Sequence, residues 1–362
     1  MYVTYRPSLP AILALGLASA LLAAGASPAA RSGSFVDDVL RRQMRFSASD
    51  LRALDAGAAV IKSLETPVRQ ELAHFGVVHV DAPTERFIER FRDIERFESG
   101  PGILQIGRFG SPPRLEDLAS LTLPAKDVTA LAKCRPGDCD VKLSAAEMNR
   151  FRSRVDWSSP NASRQANDIA RAMILELVRR YQSRGNAALG HYDDGSEPLP
   201  VAEEFRGLLA SGNHRPVPVP ALMAYLDEYP RDRPAGAEEF FYWSVVDFGL
   251  KPTIRVNHVI IQSLAANQPG VGHVVAIKQL YASHYFHTTL ELRFLVDDGR
   301  DAGRRGSYLL SITRSRNDGM TGFKGLVLRP IITRRSREGV RGYLEHVKRQ
   351  VERPARVEKG GH

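Results

Sequence analysis

The chain has 362 residues, with 50 Lys plus Arg against 41 Asp plus Glu, 43% hydrophobic residues and 25% charged ones. This balance is that of a globular protein and excludes a disordered chain, a collagen-like repeat and a multi-span membrane protein. Two cysteines exclude both a disulfide-rich scaffold and a cysteine-built zinc ribbon.

Residues 1–26 read as a signal peptide: Arg6 is the only charge, Ala11 to Ala24 is an apolar run, and Ala24-Gly25-Ala26 offers small residues for cleavage. The mature chain then starts near Ser27, and the expected location is periplasmic or secreted. In such an oxidising compartment Cys134 and Cys139 are expected to form a small disulfide around a Pro-Gly turn.

Val36, Val39, Leu40 and Met44 share a helical stripe, and Ser49 is placed to cap a second short helix ending at Gly57. Leu72 to Val80 reads as a strand covered on parts of both faces. Pro83 opens a helix with Phe87, Ile88, Phe91 and Ile94 at helical spacing, and Ile103 to Phe109 is a further strand. From Ser111 to about Gly236 the pattern turns helical with proline-rich joints. It includes a capping box at Ser144 to Glu147 and a long helix capped by Asn161 and stopped by Gly185.

The last third is strand-rich. Phe240 to Val246 and Thr253 to Gln262 form an expected hairpin, and His273 to Val296 is too long for one ordinary strand, so it is either bent or divided. Its even positions, Leu280 through Phe294, make a core face, and its odd positions, including Thr289, Glu291 and Arg293, look solvent-facing. A strand from Ser307 to Arg314 is followed by a charged, glycine-containing segment, Arg314 to Gly325, read as a loop before a last strand and helix. The final amphipathic helix carries Val340, Tyr343, Leu344, Val347 and Val351 inward.

This order of elements resembles the START-like, helix-grip superfamily. The closest local match is Val77 to Ile88 followed by Arg92-Asp93-Ile94, similar to that superfamily's first strand, Ala-Pro helix start and helix with a terminal Asp. The resemblance implies an α+β fold in which a curved antiparallel sheet grips a long C-terminal helix and encloses an apolar cavity. Residues 27–110 and 237–362 would then form the domain, with 111–236 a mostly helical insertion.

Two histidines stand on apolar strand faces, His258 with Ile254, Val256 and Ile260, and His284 with Leu280 and Phe286. If those faces line a cavity, either can hydrogen-bond the polar end of an apolar ligand or act as a base; the plainer reading is a core histidine satisfied by its neighbours. Arg314, in phase with Tyr308, Leu310 and Ile312, is a candidate cation for a carboxylate or phosphate, with an ordinary ion pair as its alternative. His258, His284, Arg314, Tyr308 and Phe286 are therefore the candidate ligand-binding residues. No catalytic residue is assigned, and no metal or cofactor is expected, since no zinc-protease, nucleophile-elbow, phosphate-loop or dinucleotide motif occurs.

The expected function is that of an exported binding protein for an apolar or amphipathic, lipid-like molecule. The alternatives are a hydrolase or cyclase in the same cavity, for which a carboxylate should lie within reach of a buried histidine, and a protein docking on anionic membrane. The last rests on charge: from Arg300 to His362 there are 16 Lys or Arg against 6 Asp or Glu, so the net +9 of the chain lies at one end. A solvated helix face explains the same charge. Nucleic acid is not an expected partner, because no aromatic-interleaved RNA motif or DNA-reading helix is present.

Overall fold

The computed structural model describes residues 32–212, 216–265, 268, 270–298, 306–320 and 322–354, and for 32–34 and 322–327 the backbone alone. The expected leader lies outside these residues. The chain is α+β, with an eight-stranded antiparallel sheet as its centre.

The N-terminal part comprises α1 (Ser32–Asp37), which runs into a π turn, α2 (Ala48–Asp55), β1 (Val60–Leu64), β2 (Glu71–Val80), α3 (Thr84–Arg92), α4 (Ile94–Glu98) and β3 (Ile103–Arg108). Ser47, not Ser49, caps α2, closing a capping box with Asp50. The helical stripe of Phe87, Ile88, Phe91 and Ile94 is broken at Asp93, so it spans two helices that meet at an angle.

The middle segment, 111–236, expected from the sequence as an insertion, holds α5 (Ala125–Leu131), α6 (Ala145–Arg154), α7 (Ala162–Arg184), a minimal hairpin of β4 (His191–Tyr192) and β5 (Leu199–Pro200), α8 (Val201–Ala210) and α9 (Pro220–Glu228). Asn161 stands at the start of α7 but its side chain makes no capping bond. Gly185 does end that helix: at φ 59° it packs so close to Tyr229 that a Cβ would overlap the Tyr229 carbonyl. Cys134 and Cys139 are joined by a disulfide.

The chain then forms β6 (Glu238–Val246), β7 (Thr253–Ser263), β8 (Val271–Ala282), β9 (Phe286–Asp297), β10 (Ser307–Asn317) and α10 (Gly322–Glu352). The long run from His273 to Val296 is thus divided, by a turn at Ser283 to Tyr285. Most of the segment expected as a loop after Arg314 belongs instead to β10 and α10, with no further strand between them.

Strand order is β1-β2-β10-β9-β8-β7-β6-β3, so the meander β6 to β10 returns to pair its last strand with β2. The period-2 alternation gives the sheet two buried faces. Phe75, Val77, Trp243, Val256, Ile260, Val274, Leu290, Leu292, Leu310 and Ile312 face one core with the insertion and the N-terminal helices. Val78, Val80, Phe240, Tyr242, Val259, Ile261, Val275, Ile277, Leu295 and Leu309 face the other, which is closed by Phe87, Phe91 and Phe97 of α3 and α4 and by Leu344, Val347 and Val351 of α10.

α10 crosses β2 at Gly76, where a Cβ would lie 2.6 Å from the Leu344 side chain; only glycine admits so close an approach. Its C-terminal half is tied down by Lys348 Nζ donating to the His79 carbonyl at 2.8 Å and by Asp81 N donating to Glu352 Oε1 at 2.9 Å.

Candidate functional site

His258, His284, Arg314 and Tyr308 all lie on the insertion side of the sheet, away from α10. His258 is fully buried. Its Nε2 lies 3.2 Å from Glu239 Oε2 and its Nδ1 3.3 Å from the Tyr181 hydroxyl. Burial lowers its pKa against the opposing pull of Glu239, so the ring is neutral, donating to the carboxylate and accepting from the phenol. Phe241 stacks on the imidazole at 4.5 Å, Tyr229 meets it edge-on at 4.7 Å, and the Tyr225 hydroxyl donates to the same Glu239 oxygen at 2.7 Å.

His284 Nε2 lies 3.0 and 3.1 Å from the two Asp127 oxygens, in a pair that is almost wholly buried. A carboxylate is therefore within reach of each histidine, as a base would require, yet the flat faces of His258 are occupied by other side chains. Arg314 is also spoken for: its Nε donates to Glu71 Oε1 at 2.8 Å and its Nη2 to Ser211 Oγ at 3.0 Å. Tyr308 is buried edge-on to His79. Between α8, α9 and the sheet a cavity of about 10 Å³, lined by Leu208, Met223, Leu290, Leu292, Ile312 and Arg314, has room for a single water at most.

The chemistry richest in open valences lies on the other face, beneath α10. The odd positions of β9 are not solvent-facing: Thr289 and Arg293 are buried, and Glu291 largely so. Arg293 Nε and Nη2 donate to the two oxygens of Glu291 at 2.9 and 3.1 Å, and Glu98, at the end of α4, lies 3.4 Å from Nη1. The guanidinium sits over the rings of Phe91 and Tyr343, and the Tyr343 hydroxyl donates to Glu98 at 2.6 Å. Burial opposes the charge on Arg293, but Glu291, Tyr343 and Glu98 outweigh it and raise the pKa well above its ordinary value. One cation thus ties α4, β9 and α10 together.

Toward the far end of the same face, β7 and β8 place Asn257 directly opposite Gln279, beside a bulge that carries Leu280 out of register. Gln279 Oε1 accepts from Arg255 Nε at 3.2 Å and from Thr289 Oγ1 at 3.4 Å, which fixes the amide orientation and leaves its Nε2 without a partner among the described residues. Asn257 is 0% exposed, and among the described residues neither its Nδ2 nor its Oδ1 has a partner. Tyr242 pairs with Asn257 across β6 and β7 and feels Glu98, Arg255, Arg293 and Glu291 together, which places all of these around one interior. On β2, His74 adds a buried Nε2 without a partner among the described residues, its pKa lowered to about 4 by burial and by Arg337 of α10.

Phe286, alone among the residues nominated from sequence, lies beside this group: the Arg255 guanidinium stands over its ring at 5.7 Å. At this end of the sheet large apolar side chains are exposed. Leu104 on β3, Phe248 and Leu250 between β6 and β7, and Leu328 and Ile331 on α10 surround the strand ends.

The sequence reading missed Glu98, Arg255, Asn257, Gln279, Glu291, Arg293 and Tyr343. A signal was present: polar residues recur at alternate positions on β7 (Thr253, Arg255, Asn257) and β9 (Thr289, Glu291, Arg293), in a sheet whose C-terminal helix has to cover a face. Among the described residues no group of three or more His, Cys, Asp or Glu is placed to hold a metal, and no helix is long and apolar enough to cross a membrane. No protein-family model, curated protein or solved structure matches the chain.

Proposed function

We propose that this chain is an exported, START-like binding protein that holds an amphipathic small molecule between the sheet and α10. The observation that carries the reading is the pair of buried amides, Asn257 and Gln279, whose donors have no partner among the described residues although an apolar wall of Tyr242, Val259 and Ile277 adjoins them. Buried polar groups are normally paired, so an unpaired set beside an apolar wall is the signature of a site that a ligand completes. The pairing of β2 with β10 and the passage of α10 across β2 are in keeping with the helix-grip resemblance. The disulfide supports export.

The insertion-side histidines enter this reading as ties between the sheet and the helices covering it. They are not the groups that read the ligand. Native mass spectrometry of the mature protein, with organic extraction of what co-purifies, tests the proposal. A discrete adduct of small-molecule mass, released on denaturation, is expected; protein that stays empty after exposure to cell-envelope lipid extract would overturn it.

A second reading, docking on anionic membrane, is supported by exposed Arg334, Arg335, Arg337 and Arg341 on α10 together with exposed Leu328 and Ile331. Sedimentation with anionic liposomes at physiological salt is expected, and absence of binding even at low salt would refute it.

A further inference from the structure

We infer that the polar end of the ligand is a carboxylate, received by Arg255, Gln279 and Asn257, so that the molecule is an amphipathic monocarboxylate. This deepens the binding proposal above and rests on it. The argument begins from what each cation on this face already holds. Arg293 is chelated by Glu291 through two hydrogen bonds and flanked by Glu98 at 3.4 Å, so it has no charge left to offer an anion. Arg314, on the opposite face, is consumed by Glu71.

Arg255 is different. It is partly buried over Phe286, only its Nε is used, toward Gln279 Oε1, and among the described residues no acid pairs with it. Its two terminal nitrogens remain a free fork, the geometry that suits a carboxylate.

The neighbours complete the match. Gln279 has spent its oxygen on Arg255 and Thr289 and presents only N–H donors. Asn257, its cross-strand partner, has both polar atoms unbonded and can turn its amide nitrogen to the same point. Residues directly opposite on antiparallel strands bring their Cβ atoms within about 5.5 Å, and Arg255 lies two positions from Asn257 on the same face. The site therefore offers three sets of donors, one of them a guanidinium to which no acid is bonded among the described residues. A carboxylate, with two oxygens able to accept about four hydrogen bonds and one negative charge, satisfies both conditions. An alcohol would take some of the donors and leave the guanidinium without an anion, and an ammonium would be repelled by that guanidinium, with the Asn257 oxygen as its acceptor. Tyr242, Val259 and Ile277 on the same face would pack the tail.

Three probes with one tail test the assignment: dodecanoate, 1-dodecanol and dodecylammonium, titrated calorimetrically into the mature protein at pH 7.5 below their aggregation limits. Dodecanoate is expected to bind at least tenfold more tightly than dodecanol, and dodecylammonium more weakly than either. Arg255→Met should erase the acid-over-alcohol preference, with dodecanoate losing at least tenfold more affinity than dodecanol, and Gln279→Leu should reduce the preference in the same direction. If the acid shows no advantage in the wild-type protein, or keeps its advantage in Arg255→Met, the carboxylate assignment fails while the binding site stands. If none of the three probes binds, the sheet-and-helix site itself is refuted, and this inference with it.

Discussion

Replacing Asn257 by leucine should make the unliganded protein more stable and a poorer binder. Asn257 is fully buried, and neither polar atom of its side chain is bonded among the described residues. A buried hydrogen-bonding group left unmade costs about 1–3 kcal/mol, and leucine, of similar length, removes that cost without adding much bulk beside Tyr242 and Val259. The expected gain is about 1–3 kcal/mol. At a denaturant slope of about 3 kcal/mol per molar urea, this raises the unfolding midpoint by about 0.3–1 M. The assay is equilibrium urea unfolding of delipidated wild-type and variant protein, read by fluorescence. A loss of stability would refute the reasoning, because it would mean that Asn257 is satisfied in the unliganded state and is a structural residue.

Three further outcomes follow from buried charged or titratable groups. Arg314→Met should cost about 3–5 kcal/mol in the same assay, since it strands Glu71, a carboxylate with no solvent exposure; the double change Arg314→Met with Glu71→Leu should recover much of the loss, and an unaffected single variant would contradict the buried pair. His287 lies 2.7 Å from Asp318 Oδ1 and 3.3 Å from Glu204 Oε2; burial works against its charge, but these two acids win and raise its pKa. Its contribution is therefore complete below the unfolded value of about 6.5 and lost as pH rises through the raised folded value, so the deficit of His287→Asn should be larger at pH 5.5 than at pH 9, and a pH-independent deficit would count against it. His74 behaves oppositely: with its pKa lowered to about 4, stability held above pH 6.5 is lost as pH falls toward 4, by about 3 kcal/mol, and His74→Leu should flatten that fall in thermal unfolding followed from pH 7 to 4.

Much of the fold was legible because it is written in local periodicity. The alternation of β7 and β9, the stripe of α7 and the Ala-Pro start of α3 each report an element whose two sides differ, and each appears where the pattern puts it. What alternation does not report is which covering element meets which face. Leu280, Leu290 and Leu292 lie on a core face as expected, but the core is the insertion's, and so the histidine and arginine in phase with them were carried away from α10. The odd positions were misread because polarity was equated with exposure. On a central strand between two paired neighbours, with a helix still to be placed, a polar face can be an interior, and Arg293 is buried there because Glu291, Glu98 and Tyr343 make its charge tolerable. β1 was missed because five residues reading Val-Ile-Lys-Ser-Leu carry too little pattern to stand out, and it is held by pairing with β2.

The pairing of β2 with β10 bears on how the chain must be assembled. His79 meets Tyr308 across more than two hundred intervening residues, whereas β6 to β10 are joined by short connections and can pair as they emerge. Closing so large a loop is slow, and until β10 arrives the inner edge of β2 presents ten residues of unpaired backbone, a template for association with other chains. A chain truncated before Ser307 would keep two such edges, one on β2 and one on β9, and would be expected to aggregate even though every helix of its insertion is present. β10 is therefore the strand whose arrival ends the exposed stage of folding, since it covers the open edges of β2 and β9 together.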